Sequence, residues 1–216
     1  MSLWKKKPKP MKTNSDDKTG LPVVECFASL QGEGFHSGQA AWFVRLAGCR
    51  NACAFCDTPQ SWDMDAFARR SEEDLVREAV ESGCVNCVVT GGEPMLHNLD
   101  GLCRRLHEAG LRCWLETSGS EPLSGEWDWI CLSPKKGVEV REEYYRKASE
   151  IKIVIGSDED FSFAEEQAGR VGRDCLRYLQ PEWSVSKGIT QKITRYILEK
   201  PIWRLSLQMH KFAGIA

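Results

Sequence analysis

Short apolar runs, each closed by glycine or serine and followed by a helix-like stretch, recur along this sequence and restrict the folds open to it. Ala41–Ala47 reads as a strand, rich in aromatic and branched residues and followed by Gly48. Ser71 can cap a helix over Glu72–Ser82, with Glu72, Glu73 and Asp74 in the first turn where the helix dipole favours acids. Gly83 stops that helix, and Val85–Thr90 is a short strand ended by Gly91 and Gly92. Leu96–Ala109 suits a helix and Arg112–Glu116 a strand; Trp129–Leu132 and Ile151–Ile155 are strand-like. Asp158 opens a helical stretch to Arg170, Cys175–Leu179 is a strand candidate, Lys187–Glu199 looks helical, and Trp203–Leu207 is the last strand. Alternation of this kind implies an α/β fold with mainly parallel strands and right-handed crossovers. About six core strands are too few for a closed eight-stranded barrel, so an open or partial barrel is expected. There is no internal repeat.

The chain has 216 residues, which fits one domain with appendages: a flexible basic tail over residues 1–20 and a single domain over 21–216. The tail contains Lys5, Lys6, Lys7 and Lys9 but little aromatic interleaving, so it reads as solvated chain rather than a nucleic-acid arm. A formal net charge of -2 gives no reason to expect nucleic acid as a partner. No apolar run approaches the roughly 20 residues of a membrane helix, and no secretory leader is visible, so a cytoplasmic location is expected. In such a reducing compartment ten cysteines are better read as metal ligands and buried small hydrophobes than as a disulfide framework.

Cys49, Cys53 and Cys56 stand out among them. Directly after the first core strand, their spacing lets one loop curl round a single inorganic centre, at a strand end where ligands of parallel sheets collect. A 4Fe–4S cube usually takes four thiolates, so three would leave one iron open to a small molecule. A zinc site completed by a distant residue, or three unmetallated thiols, are the competing readings. Cys84 and Cys87 form a second close pair, but Cys87 falls inside a strand and both read as packing, as do the isolated Cys26, Cys103, Cys113, Cys131 and Cys175.

The C-x3-C-x2-C spacing resembles the signature of the radical S-adenosylmethionine superfamily, which implies a partial (β/α)6-type barrel, modified and abbreviated. The resemblance also implies that the methionyl amine and carboxylate of S-adenosylmethionine (SAM) chelate the open iron, and that one-electron cleavage yields a 5′-deoxyadenosyl radical. Phe55 occupies the motif's aromatic position, and Thr90-Gly91-Gly92-Glu93-Pro94 is similar to the motif that holds the methionyl amine. Glycines there allow close backbone approach, and Glu93 offers an acceptor, although the segment could be an ordinary turn. Cys56 and Asp57, Glu116 and Ser118, Ser133, Pro134 and Lys135, and Gln180 follow by resemblance as further SAM contacts.

Ser29-Leu30-Gln31-Gly32-Glu33-Gly34, Arg45, Cys56-Asp57-Thr58 and Ser206-Leu207-Gln208-Met209-His210-Lys211 resemble the 7-carboxy-7-deazaguanine synthase family, from Val24 to the C-terminus. The resemblance implies a lyase of queuosine biosynthesis that converts 6-carboxy-5,6,7,8-tetrahydropterin to 7-carboxy-7-deazaguanine with loss of ammonia. It implies a magnesium ion with Thr58 as ligand, a reducing partner such as flavodoxin or ferredoxin, and a homodimer. Gln31 and Glu33 can read the amide and amino edge of a pterin, and Arg45 can hold a carboxylate. Leu30, Gly32, Thr90 and His210 line the same pocket by resemblance. Arg45 could instead form a surface ion pair, Gln31 to Gly34 an ordinary turn, and His210 could simply pack. Members often end in proline, whereas this chain ends in Ala216, whose carboxylate is the corresponding candidate contact. An activase that installs a glycyl radical on a protein, and a non-catalytic zinc module, are the alternative functions.

Overall fold

The computed structural model describes residues 20–215; the expected basic tail, apart from Gly20, and the terminal Ala216 lie outside the described residues. The elements run β1 (Leu21–Leu30), β2 (Ala40–Leu46), β3 (Arg69–Arg70), α1 (Glu72–Glu81), β4 (Asn86–Gly91), α2 (Asp100–Glu108), β5 (Arg112–Thr117) and β6 (Trp129–Leu132). They continue with α3 (Glu142–Lys147), β7 (Glu150–Ile155), α4 (Glu159–Ala168), β8 (Leu176–Pro181), α5 (Ser186–Glu199), β9 (Trp203–Leu205) and α6 (Met209–Ala213).

One nine-stranded sheet has the order β3-β1-β2-β4-β5-β6-β7-β8-β9. From β2 to β9 every pairing is parallel, while β1 joins β2 and β3 antiparallel. Neither edge meets the other, so the sheet is an open, partial barrel, as the strand count predicted. β1 was not legible as a strand: its second half alternates between half-buried and exposed positions, without the continuous apolar run of the central strands. The helix expected from Leu96 begins later, because Pro94–Leu96 forms a 3-10 turn and the Asn98 side chain accepts the Asp100 N–H at 2.9 Å. Ser71 does cap α1, its hydroxyl accepting the Asp74 N–H at 3.1 Å.

The main core lies between sheet and helices, around the fully buried Leu46, Leu75, Leu102, Leu115, Ile151 and Ile153. Burying each such side chain stabilises by about 1.5–3 kcal/mol. A second, smaller cluster of Ala41, Phe43, Val88 and Trp114 gathers side chains from β2, β4 and β5. The loop after β1 packs onto β5 and β6: His36 stacks on Trp114 at 3.8 Å between centroids and Phe35 on Trp129 at 4.9 Å. Those two rings anchor the loop that carries Gln31 and Glu33. Among the described residues no helix is long and apolar enough to cross a membrane.

Candidate active site

A cavity of about 900 Å³ opens where the parallel strands end. That volume is at the upper end of small-molecule sites, which run from about 300 to 1,000 Å³. Its wall takes Leu30, Gln31, Gly32 and Glu33 from the end of β1, and Arg45 from β2. Cys49, Cys53, Phe55, Cys56, Asp57 and Thr58 come from the loop after β2, and Thr90 and Gly92 from the end of β4. Glu116 and Ser118, Ser133 and Lys135, Gln180, and His210 complete the predicted set. Parallel strands end on one side of a sheet, which is why residues separated by most of the chain converge here.

Two predicted residues stand behind this wall. Pro134 is not part of the lining, and neither is Glu93, which is 2% exposed. Glu93 accepts from Thr117 Oγ1 at 2.6 Å, Ser118 N at 2.8 Å, Met95 N at 3.2 Å and the Ser118 hydroxyl. Its carboxylate therefore ties the end of β4 to the end of β5 rather than standing free as an acceptor. Ala216 lies outside the described residues.

The cysteine loop is pinned to the same strand end. Glu93 N donates to Gly48 O at 2.7 Å, and Gly92 N to Leu46 O at 3.0 Å. A Cβ on Gly92 would stand 2.2 Å from Gly48 O, so only glycine lets the two loops meet this closely. Asn51 Nδ2 donates to Ser118 Oγ at 2.9 Å and fastens the loop's other side. Ala52 takes a left-handed φ of 44° between the first two cysteines, turning the chain so that it curls. Burial pushes the Cys49 and Cys53 thiols up, and the nearby Lys135 ammonium opposes this at Cys53. Lys135 donates to Ser133 Oγ at 2.7 Å and lies 5.8 Å from the centre of the Phe55 ring.

The three thiols come from one loop, line one cavity and act electrostatically on one another. Three thiolates with one position left to a small molecule are the donor set that a 4Fe–4S cluster with one open iron requires.

The same cavity wall carries a network that the sequence reading only half identified. Lys152, in the middle of β7 and 4% exposed, bonds Glu33 Oε2 at 2.5 Å and Glu116 Oε2 at 3.0 Å. Gln31 Nε2 donates to Glu116 Oε1 at 3.0 Å, and Gln208 Nε2 to Glu33 Oε1 at 2.9 Å. Burial alone would raise the Glu33 pKa, but the Lys152 charge and hydrogen bond, then the Gln208 bond, outweigh it and bring the carboxyl down to about 2. Burial likewise works against the Lys152 ammonium, and the surrounding carboxylates overcome it and hold the amine well above its ordinary range. Lys152 and Gln208 were both missed. A lone lysine inside the apolar run of Ile151–Ile155 was the available signal, since central parallel strands are buried on both faces.

The terminal segment docks onto this network. Met209 N donates to Gly32 O at 2.9 Å, and Lys211 Nζ bonds Gln208 Oε1 at 2.9 Å and Asp57 Oδ2 at 3.1 Å. A Cβ on Gly32 would stand 2.2 Å from His210 Nδ1, so the imidazole fills the space that any other residue would need. Burial lowers the His210 pKa, with Glu33 opposing. Arg45 pairs through Nε with Glu25 Oε1 at 2.9 Å, and it also faces the cavity.

The sequence matches the radical SAM superfamily over residues 44–154. It is 42% identical over 195 residues to the 7-carboxy-7-deazaguanine synthase of Flavobacterium psychrophilum, covering 90% of this chain and 92% of that protein. It is 44% identical to the synthase of the same name from Synechocystis sp., with 90% and 93% covered, and 34% identical to that of Escherichia coli, with 90% and 99% covered. The crystal structure of QueE from Escherichia coli superposes with a TM-score of 0.78 at 31% identity, over 88% of this chain and 94% of that one.

Proposed function

The chain belongs to the 7-carboxy-7-deazaguanine synthase family of radical SAM enzymes, and from that membership we propose that its cavity converts 6-carboxy-5,6,7,8-tetrahydropterin to 7-carboxy-7-deazaguanine with loss of ammonia, as a carbon–nitrogen lyase of queuosine biosynthesis. One observation carries the reading: the three-cysteine loop and the Gln31–Glu33–Glu116–Lys152 network line a single cavity. The activase alternative assigns no task to that network.

When bound, the cluster and SAM supply a carbon radical strong enough to remove a hydrogen atom from the substrate. Cys49, Cys53 and Cys56 would hold the cluster, and Phe55, Asp57, Gly92, Glu116, Ser118, Ser133, Lys135 and Gln180 line the space for SAM. Glu93 serves SAM from behind the wall by fixing Ser118, and Pro134 by restricting the backbone between Ser133 and Lys135.

The substrate face follows from charge and donor pattern. Glu33 stays ionised at neutral pH, so it can accept from the amino and ring N–H groups of a pterin. Gln31 is oriented by two bonds, giving to Glu116 and accepting the Glu33 N–H at 3.3 Å, so its amide presents a fixed donor and acceptor. Arg45 uses Nε on Glu25 and keeps its two terminal nitrogens for the substrate carboxylate. Leu30, Gly32 and Thr90 shape the ring slot, and His210, neutral at physiological pH, supplies one donor and one acceptor. Thr58 offers one hydroxyl to a magnesium ion whose other ligands come from substrate and water. The family resemblance supports a flavodoxin or ferredoxin as electron donor and a homodimer as the working unit.

The test is chemical. Anaerobically reconstituted protein, supplied with SAM, reductant, magnesium and the carboxylated tetrahydropterin, should yield a deazapurine that chromatography with mass detection identifies. Deoxyadenosine formed without any deazapurine would overturn the substrate assignment while leaving the radical chemistry intact.

A further inference from the structure

At the opposite end of the parallel strands from the cavity, three metal-liganding side chains meet that the proposed chemistry does not use, with a fourth, Cys103, beside them. Cys103 and His107 are one turn apart on α2, hence on one face of that helix. Cys113 lies at the start of β5, and Asp128 immediately precedes β6. One ligand atom each from His107, Cys113 and Asp128 falls within 4.8 Å of the other two. We propose that His107, Cys113 and Asp128 form a structural site for a zinc ion, with Cys103, which lies beside Cys113, turning in as the fourth ligand when the ion binds.

The donor set selects the metal class. Thiol plus imidazole favours a borderline-soft divalent cation over magnesium or calcium, and two sulfurs, one nitrogen and one carboxylate oxygen make a four-coordinate shell. His107 Nε2 and Asp128 Oδ2 are 2.9 Å apart, close enough for one ion bound at about 2.0–2.2 Å to each. The Cys113 N–H donates to the same Asp128 oxygen at 2.7 Å, which fixes the carboxylate beside the thiol.

Cys103 and Cys113 are 1% and 0% exposed, whereas the His107 and Asp128 side chains are 33% and 42% exposed. The site is closed on the thiol side and open to solvent on the other, which gives an ion a way in. Cys103 reaches Cys113 side chain to side chain, and Cys113 Sγ is 3.9 Å from Cys103 O. On binding, the ion replaces the proton between His107 and Asp128, and the thiol protons leave to solvent. The result is a clip joining α2, β5 and β6 at their ends.

The decisive experiment uses the cluster-loaded protein, prepared without oxygen, exposed to zinc chloride and then dialysed. Elemental analysis should find one zinc per chain, and zinc K-edge absorption should give sulfur neighbours at about 2.3 Å with nitrogen or oxygen neighbours at about 2.0–2.2 Å. His107→Ala and Asp128→Asn change partly exposed side chains, and the asparagine keeps an acceptor for the Cys113 N–H, so both should fold and keep the iron–sulfur absorbance. Each should lower zinc retention at least tenfold, and zinc should raise the melting temperature of the parent but not of His107→Ala. The Cys49→Ala, Cys53→Ala, Cys56→Ala triple variant should still bind its zinc. No zinc after dialysis, zinc undiminished in His107→Ala and Asp128→Asn, or zinc lost only with the triplet would each overturn the site.

Discussion

Replacing Lys152 by methionine, which is unbranched, uncharged and one atom shorter, should expose how far the substrate face depends on one buried cation. Lys152 is the ion-pair partner of both Glu33 and Glu116, and its side chain is 5% exposed. Returning Glu33 from about 2 to the ordinary 4.5 corresponds to about 3.5 kcal/mol at about 1.4 kcal/mol per pH unit. Breaking a buried pair by removing one partner costs about 3–5 kcal/mol, the same range from an independent direction. The sign with pH follows. In the parent the depressed Glu33 contributes stability that is complete well above pH 4.5 and disappears only as pH falls through about 2. In the variant the uncompensated carboxyl titrates above its ordinary value, so its penalty is full at high pH and relieved on acidification. Urea titrations of the cluster-free proteins should therefore show a gap of about 3–5 kcal/mol at pH 7, with an unchanged denaturant slope. The gap should narrow measurably by pH 5, and Lys152→Met/Glu33→Gln should recover part of it at pH 7. A gap below about 1 kcal/mol, a gap independent of pH, or no recovery in the double variant would refute the reasoning.

Gly92→Ala should force the β4 end away from Gly48 O, at about 1–3 kcal/mol, and iron and sulfide content should fall more steeply than helical circular dichroism. Arg45→Met removes an ion pair whose carboxylate partner is half exposed, so stability should change by less than about 1 kcal/mol. Its affinity for the carboxylated pterin, read by calorimetry, should nevertheless fall at least about tenfold, equivalent to about 1.4 kcal/mol. Glu93→Gln should destabilise by about 1–3 kcal/mol in a denaturant titration, because either orientation of the amide sets its NH2 against two of the donors now bonded to the carboxylate.

Where local order was strong, the sequence was easily read. The strands at 85–90, 112–116 and 151–155 are apolar runs with clear stops, and the structure has them within a residue or so. The cysteine triplet, the glycine pair and the Gln31–Glu33 segment are contiguous, so their chemistry survives in one dimension. α3 was not anticipated: it is six residues long, and its two buried tyrosines sit in an otherwise charged stretch with no visible helical stripe. Arg45 showed both of its open readings at once, as an ion-pair partner and as a cavity residue.

Chain order alone determined the parallel sheet, the side on which ligands gather and the three-thiol loop, because periodicity, strand stops and ligand spacing are local properties. Tertiary structure decided what is non-local: that Lys152 neutralises two carboxylates brought from β5 and the β1 turn, that Glu93 braces the β5 end instead of facing the cavity, and that the terminal segment closes over Gly32. A buried charge or a missing Cβ acquires meaning only from the partner that packing brings to it, and these partners lie from 25 to 178 positions away along the chain.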